Sequence, residues 1–347
     1  MQTGEGPIRS AAYLPSTPDN VLWGRLPCAV DEPVLTIDSG TEVTIDTISH
    51  EGILEDQGRD PRRFFGQFGV DEVLEDAIAL AASDVDHTPG PDGPHVVTRP
   101  IAVRDAKAGD LLAITVVETL RRVPYGVVSN RHGKGALPGT YPLDGEPLHS
   151  VFTPVVEGPD GTAHGRIGPA RFPLAPFLGI MGVAPDTDQR PHSVPPGPHG
   201  GNIDIKLLTA GATLYLPIQV DGALAYVGDP HFAQGDGEVS LTALEASLRA
   251  TLRFDVIARE DATAMFGTLA GPLAETGDHL VPTGLDEDLD VAVQNCVRAA
   301  IALLESRYGM TAPEAYAYLS AATDFDISQV VDVVKGVHAR IRKADFA

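Results

Sequence analysis

Cysteine is nearly absent from this chain: Cys28 and Cys296 are the two among 347 residues, with most of the sequence between them. A pair so placed builds neither a disulfide framework nor a Cys-x-x-Cys metal site, and a reducing compartment is the default expectation. Basic residues are scarce as well. Lys and Arg number 25 against 48 Asp and Glu, a formal net charge of −23, and a surface of that sign repels nucleic acid and anionic membranes. Such acidity serves solubility first and leaves neutral or cationic small molecules as compatible ligands. No window approaches the ~18 apolar residues of a spanning helix. The N-terminal Met1-Gln2-Thr3-Gly4-Glu5-Gly6 carries neither a basic leader nor an apolar stretch, so a soluble cytoplasmic protein is expected. Covalent catalysis is poorly supported: there is no Gly-x-Ser-x-Gly elbow, and Gly200-Gly201 is followed by Asn202 where a serine nucleophile would be wanted. Asn130-Arg131-His132-Gly133-Lys134-Gly135 lacks the Gly-x4-Gly-Lys-Ser/Thr spacing and a following helix, which excludes nucleotide binding there.

What is present describes a β-rich body. Hydrophobic residues make up 43% of the chain, enough to bury one large core or two moderate ones. In the first two-thirds, short alternating segments are punctuated by Gly and Pro, the pattern of a sandwich or barrel. Thr41–Asp46 alternates strictly, with Val43 and Ile45 on one face and Glu42, Thr44 and Asp46 on the other. Residues 112–118 and 248–257 also read as strands, and Asp71–Ala82 as a helix. Leu214–Val220 and Ala223–Val227 flank Asp221-Gly222 and predict a β-hairpin. After Asp286, Leu289, Val293, Cys296, Val297, Ala300, Ile301 and Leu304 form a helical stripe ended by Gly309, which makes Cys296 a core residue. Thr311-Ala312-Pro313-Glu314 is a capping box opening a second helix through Tyr318. The expected division is a β-sandwich body over 1–257, its Gly/Pro-rich loops carrying the site, and an α+β region over 258–347.

The densest chemistry lies in Gly228–Glu238, GDPHFAQGDGE, where carboxylates and an imidazole stand among glycines that free the backbone to aim them at one point. Its upstream neighbour reads as a strand, so the run is expected to begin at a strand end. His50 and His231 differ from the other histidines in lying near a carboxylate: Asp46 precedes His50 by four residues and Asp229 precedes His231 by two. In Asp-x-His on extended backbone both side chains project to one side, which suits a Zn²⁺-like ion, and Glu238 and Glu245 add carboxylates. His87, His95, His149, His164 and His338 read as surface or capping residues. A further cluster, His199–Lys206, enters an apparent strand on which Asn202, Asp204 and Lys206 point the same way. Asp204 and Lys206 are there either a same-face ion pair or catalytic groups, and Asp236 either a ligand or a turn former.

Taken together, these segments resemble the acetamidase/formamidase family over nearly the whole chain. The similar stretches are Thr44–Gly52 (TIDTISHEG), Val123–Gly139 (VPYGVVSNRHGKGALPG), Phe177–Val183 (FLGIMGV), Gly200–Lys206 (GGNIDIK), Leu216–Gly222 (LPIQVDG), Gly228–Glu238 and Tyr316–Val331. The resemblance implies a mainly β fold, a jelly-roll or CUB-like sandwich with an α+β portion. It also implies a homo-oligomer and hydrolysis of formamide or acetamide, with lactam opening in some relatives. A divalent ion is implied too, zinc by expectation and calcium as an additional or alternative ion. On that basis Asp46, His50, Asp229 and His231 are the expected metal ligands around an activated water, and Glu238 is the general base and then acid. Asp204 and Lys206 assist catalysis, and Asn202 and Gln234 bind a small neutral amide. The rival reading is a non-enzymatic β-protein in which GDPHFAQGDGE holds a structural calcium through carboxylates and carbonyls.

Overall fold

A computed structural model of the chain describes residues 1–158 and 161–346. The fold is mainly β. One nine-stranded sheet runs, in spatial order, Ala12–Leu14, Thr41–Asp46, Leu248–Ile257, Leu111–Arg121, Thr213–Pro217, Leu273–Glu275, His279–Asp286, Lys335–Arg342 and Asp324–Gln329. The second sheet centres on Ala225–Ala233, flanked by Phe177–Val183 on one side and the two-residue strand Leu244–Glu245 on the other. Val43, Ile45, Leu112, Ile114, Leu214 and Leu252 of the first sheet share one buried core with Val127, Leu178, Met181, Val183, Val227 and Phe232 of the second. The sheets are therefore held by apolar burial, the dominant favourable contribution to folding.

Thr41–Asp46 shows how the sequence sets this packing. Val43 and Ile45 enter the core as the alternation predicts, but Thr44 and Asp46 on the other face are buried too. The N-terminal segment covers them: Ser10 N donates to Thr44 Oγ1 at 3.1 Å and Tyr13 Oη donates to Asp46 Oδ2 at 2.5 Å.

The predicted hairpin around Asp221-Gly222 does not form. Thr213–Pro217 pairs with Leu111–Arg121 and Leu273–Glu275 in the first sheet, whereas Ala225–Ala233 lies in the second. Asp221 is engaged by Lys107 Nζ at 3.2 Å and by the Ala108 N–H at 3.1 Å, while Ala223 and Leu224 take φ values of 60° and 50°. The turn is thus tied to the loop before Leu111, and the left-handed pair steers the chain across to the other sheet. An Asp-Gly turn between apolar runs serves either connection, so the sequence pattern cannot separate them.

The C-terminal elements follow the predicted rhythm. A helix spans Leu289–Tyr308, capped by the Asp288 carboxylate and closed by Gly309 at φ 65°, with Cys296 fully buried. The capping box forms, Glu314 accepting from the Thr311 N–H at 3.0 Å, and its helix runs to Ala322 rather than stopping at Tyr318. The helix near residue 75 covers Glu75–Ala81.

Candidate functional site

Strand geometry assembles the site. Ala225–Ala233 runs through Asp229 and His231, so the polar run begins inside a strand, not where one ends, and leaves it after Ala233. Asp229 sits at φ 51° and the register shifts between His231 and Ala233, which brings both side chains to one place. Glu245 stands directly opposite His231 across the ladder, the pairing that puts side chains in contact across a sheet. His50 arrives from beyond Asp46, where Ser49 N donates to Ser247 Oγ at 3.0 Å and Thr47 Oγ1 to Leu248 O at 2.8 Å. Asp204 is delivered by backbone bonds from Ile203 N and Asp204 N to Gly179 O, at 3.1 and 3.2 Å. A side chain at Gly179 would collide with the Asp204 and Asp229 carboxylates and with His231, its Cβ lying 2.5 to 2.6 Å from each. Glycine is therefore what lets these groups converge.

The result is a chain of buried donors and acceptors. His231 Nε2 lies 3.0 Å from Asp229 Oδ2 and 3.1 Å from Glu245 Oε1; His231 Nδ1 lies 3.9 Å from Asp204 Oδ1; His50 Nδ1 lies 3.7 Å from Asp229 Oδ1 and 3.9 Å from Glu245 Oε2. Three overlapping groups could each hold a cation: His50, His95 and Asp229; Asp229, His231 and Glu245; and Asp204, His231 and Glu238. Both nitrogens of His50 and of His231, both oxygens of Asp204, Asp229 Oδ1 and Glu245 Oε2 are buried with no hydrogen-bond partner. A buried orphan of this kind costs about 1 to 3 kcal/mol, a cost that a bound ligand supplying partners would relieve. Donor atoms held at ~2.0 to 2.1 Å around one tetrahedral ion lie about 3.3 Å apart, close to the spacings around His231. Imidazole with carboxylate is also the donor mixture of such a site, so these residues fit a divalent cation.

Electrostatics follow from burial and crowding. Burial opposes the charged form of His50, but Asp229, Glu245 and Glu51 outweigh it and raise its pKa to about 10. His231 rises well above the usual histidine value, Glu245 and Asp229 overcoming burial. Glu238 and Asp204 are pushed well above the carboxylate range by burial, and next by Asp204 and Asp332 respectively. Burial would raise Glu51 too, but Arg131 and His50 hold it down at about 2.

Several expected residues sit elsewhere or do other work. Asp46 is not brought to the cluster: Arg249 donates to it at 2.6 and 2.9 Å, and together with Tyr13 it occupies the carboxylate. Lys206 turns away to Asp236, 2.5 Å from its Oδ2. The strand entering that segment stops at Asn202 and Asp204 has φ 47°, so the three side chains do not share one strand face. Gln234 donates through Nε2 to Asp204 O at 2.8 Å and Ser328 O at 3.1 Å, bracing the loop, while its Oε1 is left without a partner. Asn202 lines the cavity at the cluster with its Oδ1 unpaired.

Other residues enter that the sequence did not single out. His95 is buried, its ring centroid 5.5 Å from that of His50, and burial lowers its pKa to about 4. Nothing near it in sequence signals this; only the pairing of Val96–Thr98 with Ala225–Ala233 carries it there. Glu51 receives Arg131, Gln57 and Ser129 and lies 3.4 Å from His50 Nε2. Asp332 comes from the C-terminal region, where Gly237 N donates to Ser328 O and Val330 N to Gly237 O, both at 3.1 Å. His338, read as a surface or capping residue, is fully buried near Asp236 and Asp326, carboxylates that Lys206 and Arg340 already neutralise. His50, His95, Asn202, Asp229, Glu238, Glu245 and Asp332 all line one cavity of about 640 Å³.

Comparison with known proteins agrees with this fold. Residues 187–341 match the model of the acetamidase/formamidase family. A formamidase of Methylophilus methylotrophus is 26% identical over 333 residues, covering 77% of this chain and 78% of the relative. An acetamidase of Mycolicibacterium smegmatis is 25% identical over 329 residues, 74% and 78% of the two chains. Among solved structures, an acetamidase from Bacillus halodurans matches 96% of this chain and 98% of its own at TM-score 0.74 and 25% identity. One from Yersinia enterocolitica matches 99% and 94% at TM-score 0.75 and 23% identity, a likeness of fold. Motifs, fold and relatives converge on the acetamidase/formamidase family, which the chain resembles, and they support an amidase hydrolase.

Proposed function

We propose that this protein hydrolyses the C–N bond of neutral amides at the buried cluster, releasing ammonia and the carboxylic acid. The observation that carries the reading is the convergence of orphaned imidazole and carboxylate atoms at the cavity. Asp229, His231, Glu245 and His50 are the groups suited to hold a divalent ion, with Asp204 adjacent. Imidazole among them favours zinc over calcium, which prefers an all-oxygen shell, and this weighs against a purely structural calcium site. When bound, such an ion supplies a water acidified toward a pKa of ~7 and a polarised carbonyl.

The protein's own groups then account for the rest. Water adds to the carbonyl carbon, the C–N bond breaks, and the departing nitrogen takes a proton. Glu238, buried beside Asp204 and His231, is suited to accept the proton of water and pass it to that nitrogen, provided that a cation at the cluster offsets the burial that otherwise keeps its carboxyl protonated. Asn202 Oδ1, unpaired at the cavity wall, is suited to accept from the substrate N–H. Lys206 has no part in this scheme. Neutral substrates suit the acidic surface, and among the described residues no helix is long and apolar enough to cross a membrane. A cytoplasmic homo-oligomer completes the reading, with sedimentation as its check.

Ammonia release from formamide, acetamide, propionamide and a γ-lactam tests the activity. Glu238→Gln should lower turnover by about 10² to 10⁴-fold at unchanged metal content. Unaltered turnover would remove Glu238 from the scheme.

A further inference from the structure

The cavity at the cluster is far larger than the amides for which the relatives are named. Formamide has the bulk of about two waters, roughly 60 Å³ at ~30 Å³ per water, against about 640 Å³ here. Cavities of ~300 to 1,000 Å³ take drug-sized ligands. A substrate filling a tenth of the space meets few walls that could orient it, and orientation is a large share of what a site contributes to rate.

The walls have their own chemistry. Away from the cluster, Leu54, Val194, Leu241, Val330, Val331 and Val333 line the cavity. Two of these are held in left-handed backbone, Leu241 at φ 105° and Val333 at φ 66°, and Val333 is 55% exposed. A bulky or β-branched residue there costs on the order of 1 to 3 kcal/mol, strain that persists where surrounding structure enforces it. The two loops bearing them are tied together by the Gly237–Ser328 and Val330–Gly237 backbone bonds. The rim carboxylates are already matched: Glu55 with Arg59, Asp56 with Arg131 and His132, Asp92 with Arg25. Lys134 and Lys335 add two further cations to the rim, so the apolar wall lies beneath a mixed, partly basic edge.

We infer that the preferred substrate is a primary amide bearing an apolar substituent of several carbons, lodged against Leu241, Val331 and Val333 while its amide group sits at the cluster. This rests on the cluster being an amide-hydrolysing centre. The test is a ladder of formamide, acetamide, butanamide, hexanamide and phenylacetamide on the metal-loaded protein. The expected kcat/KM rises by about fourfold per buried methylene. Leu241→Gly and Val333→Gly relax the positive φ, so folding is safeguarded, and each should shrink the hexanamide-to-acetamide ratio at least fivefold. A kcat/KM that falls from formamide onward, or a ratio untouched by both variants, overturns the inference and leaves the amidase reading standing. No ammonia from any amide overturns both.

Discussion

Asp46 lies four positions before His50, yet their side chains occupy opposite kinds of polar interior. Asp46 is saturated by the bidentate Arg249 fork and the Tyr13 hydroxyl, with Arg122 3.8 Å away. Arg249 spends its remaining donors on Glu5 O, Pro7 O and Gln2 O, and Arg122 on Thr47 O and Ser16. Among the described residues, this network contributes no orphaned buried atom. The His50–Asp229–His231–Glu245 cluster is equally buried, yet both nitrogens of each histidine, Asp229 Oδ1 and Glu245 Oε2 are left without a hydrogen-bond partner. Saturation marks a network that holds structure, here the N-terminal segment on its sheet. Its absence marks one whose partners come from outside the chain.

Removing donors from the open cluster should have the largest effect. His231→Asn and Glu245→Gln are each expected to reduce ammonia release by at least ~10³-fold, about 4 kcal/mol of barrier. In chelated protein, Glu245→Gln should raise Tm, because a neutral amide replaces a crowded carboxylate. A lowered Tm would show that the cluster stabilises the fold after all. In the saturated network the consequences reverse. Arg249→Met leaves Asp46 buried without its partner and should cost about 3 to 5 kcal/mol in urea unfolding, while kcat of the folded fraction stays within about twofold.

Glu51 bridges the two behaviours, being satisfied itself yet touching His50. Its pKa of about 2 lies below the ordinary 4.5, so its stability is complete above pH 4.5 and is lost as pH falls toward 2. That loss is on the order of 3 kcal/mol in metal-free protein. Glu51→Gln should flatten the urea midpoint between pH 5 and 3, and an unchanged pH slope counts against it. The smallest effect is assigned to Lys206→Ala: its pair with Asp236 is partly exposed, worth at most about 1 kcal/mol, and kcat should hold. A hundredfold loss would return Lys206 to the site.

Much of the β body and both C-terminal helices were legible because alternation, helical spacing and capping are local signals. GDPHFAQGDGE was legible through its composition. What the sequence hid depends on which strands pair. Glu245 meets His231 only across a ladder, and His95 reaches His50 only through Val96–Thr98. Asp46 looked like a partner of His50 because it lies four positions before it, but strand alternation puts Asp46 under the N-terminal segment and Arg249 claims it. The Asp204–Lys206 spacing misled for a related reason, since one left-handed residue ended the strand pattern.

The most direct test is to strip the protein of metal, verify the loss by elemental analysis, and titrate zinc back while following Tm and ammonia release from a small amide. The account predicts that both rise together and saturate at a fixed stoichiometry, with His231→Asn abolishing the response. Native-rate ammonia release from verified metal-free protein would contradict it.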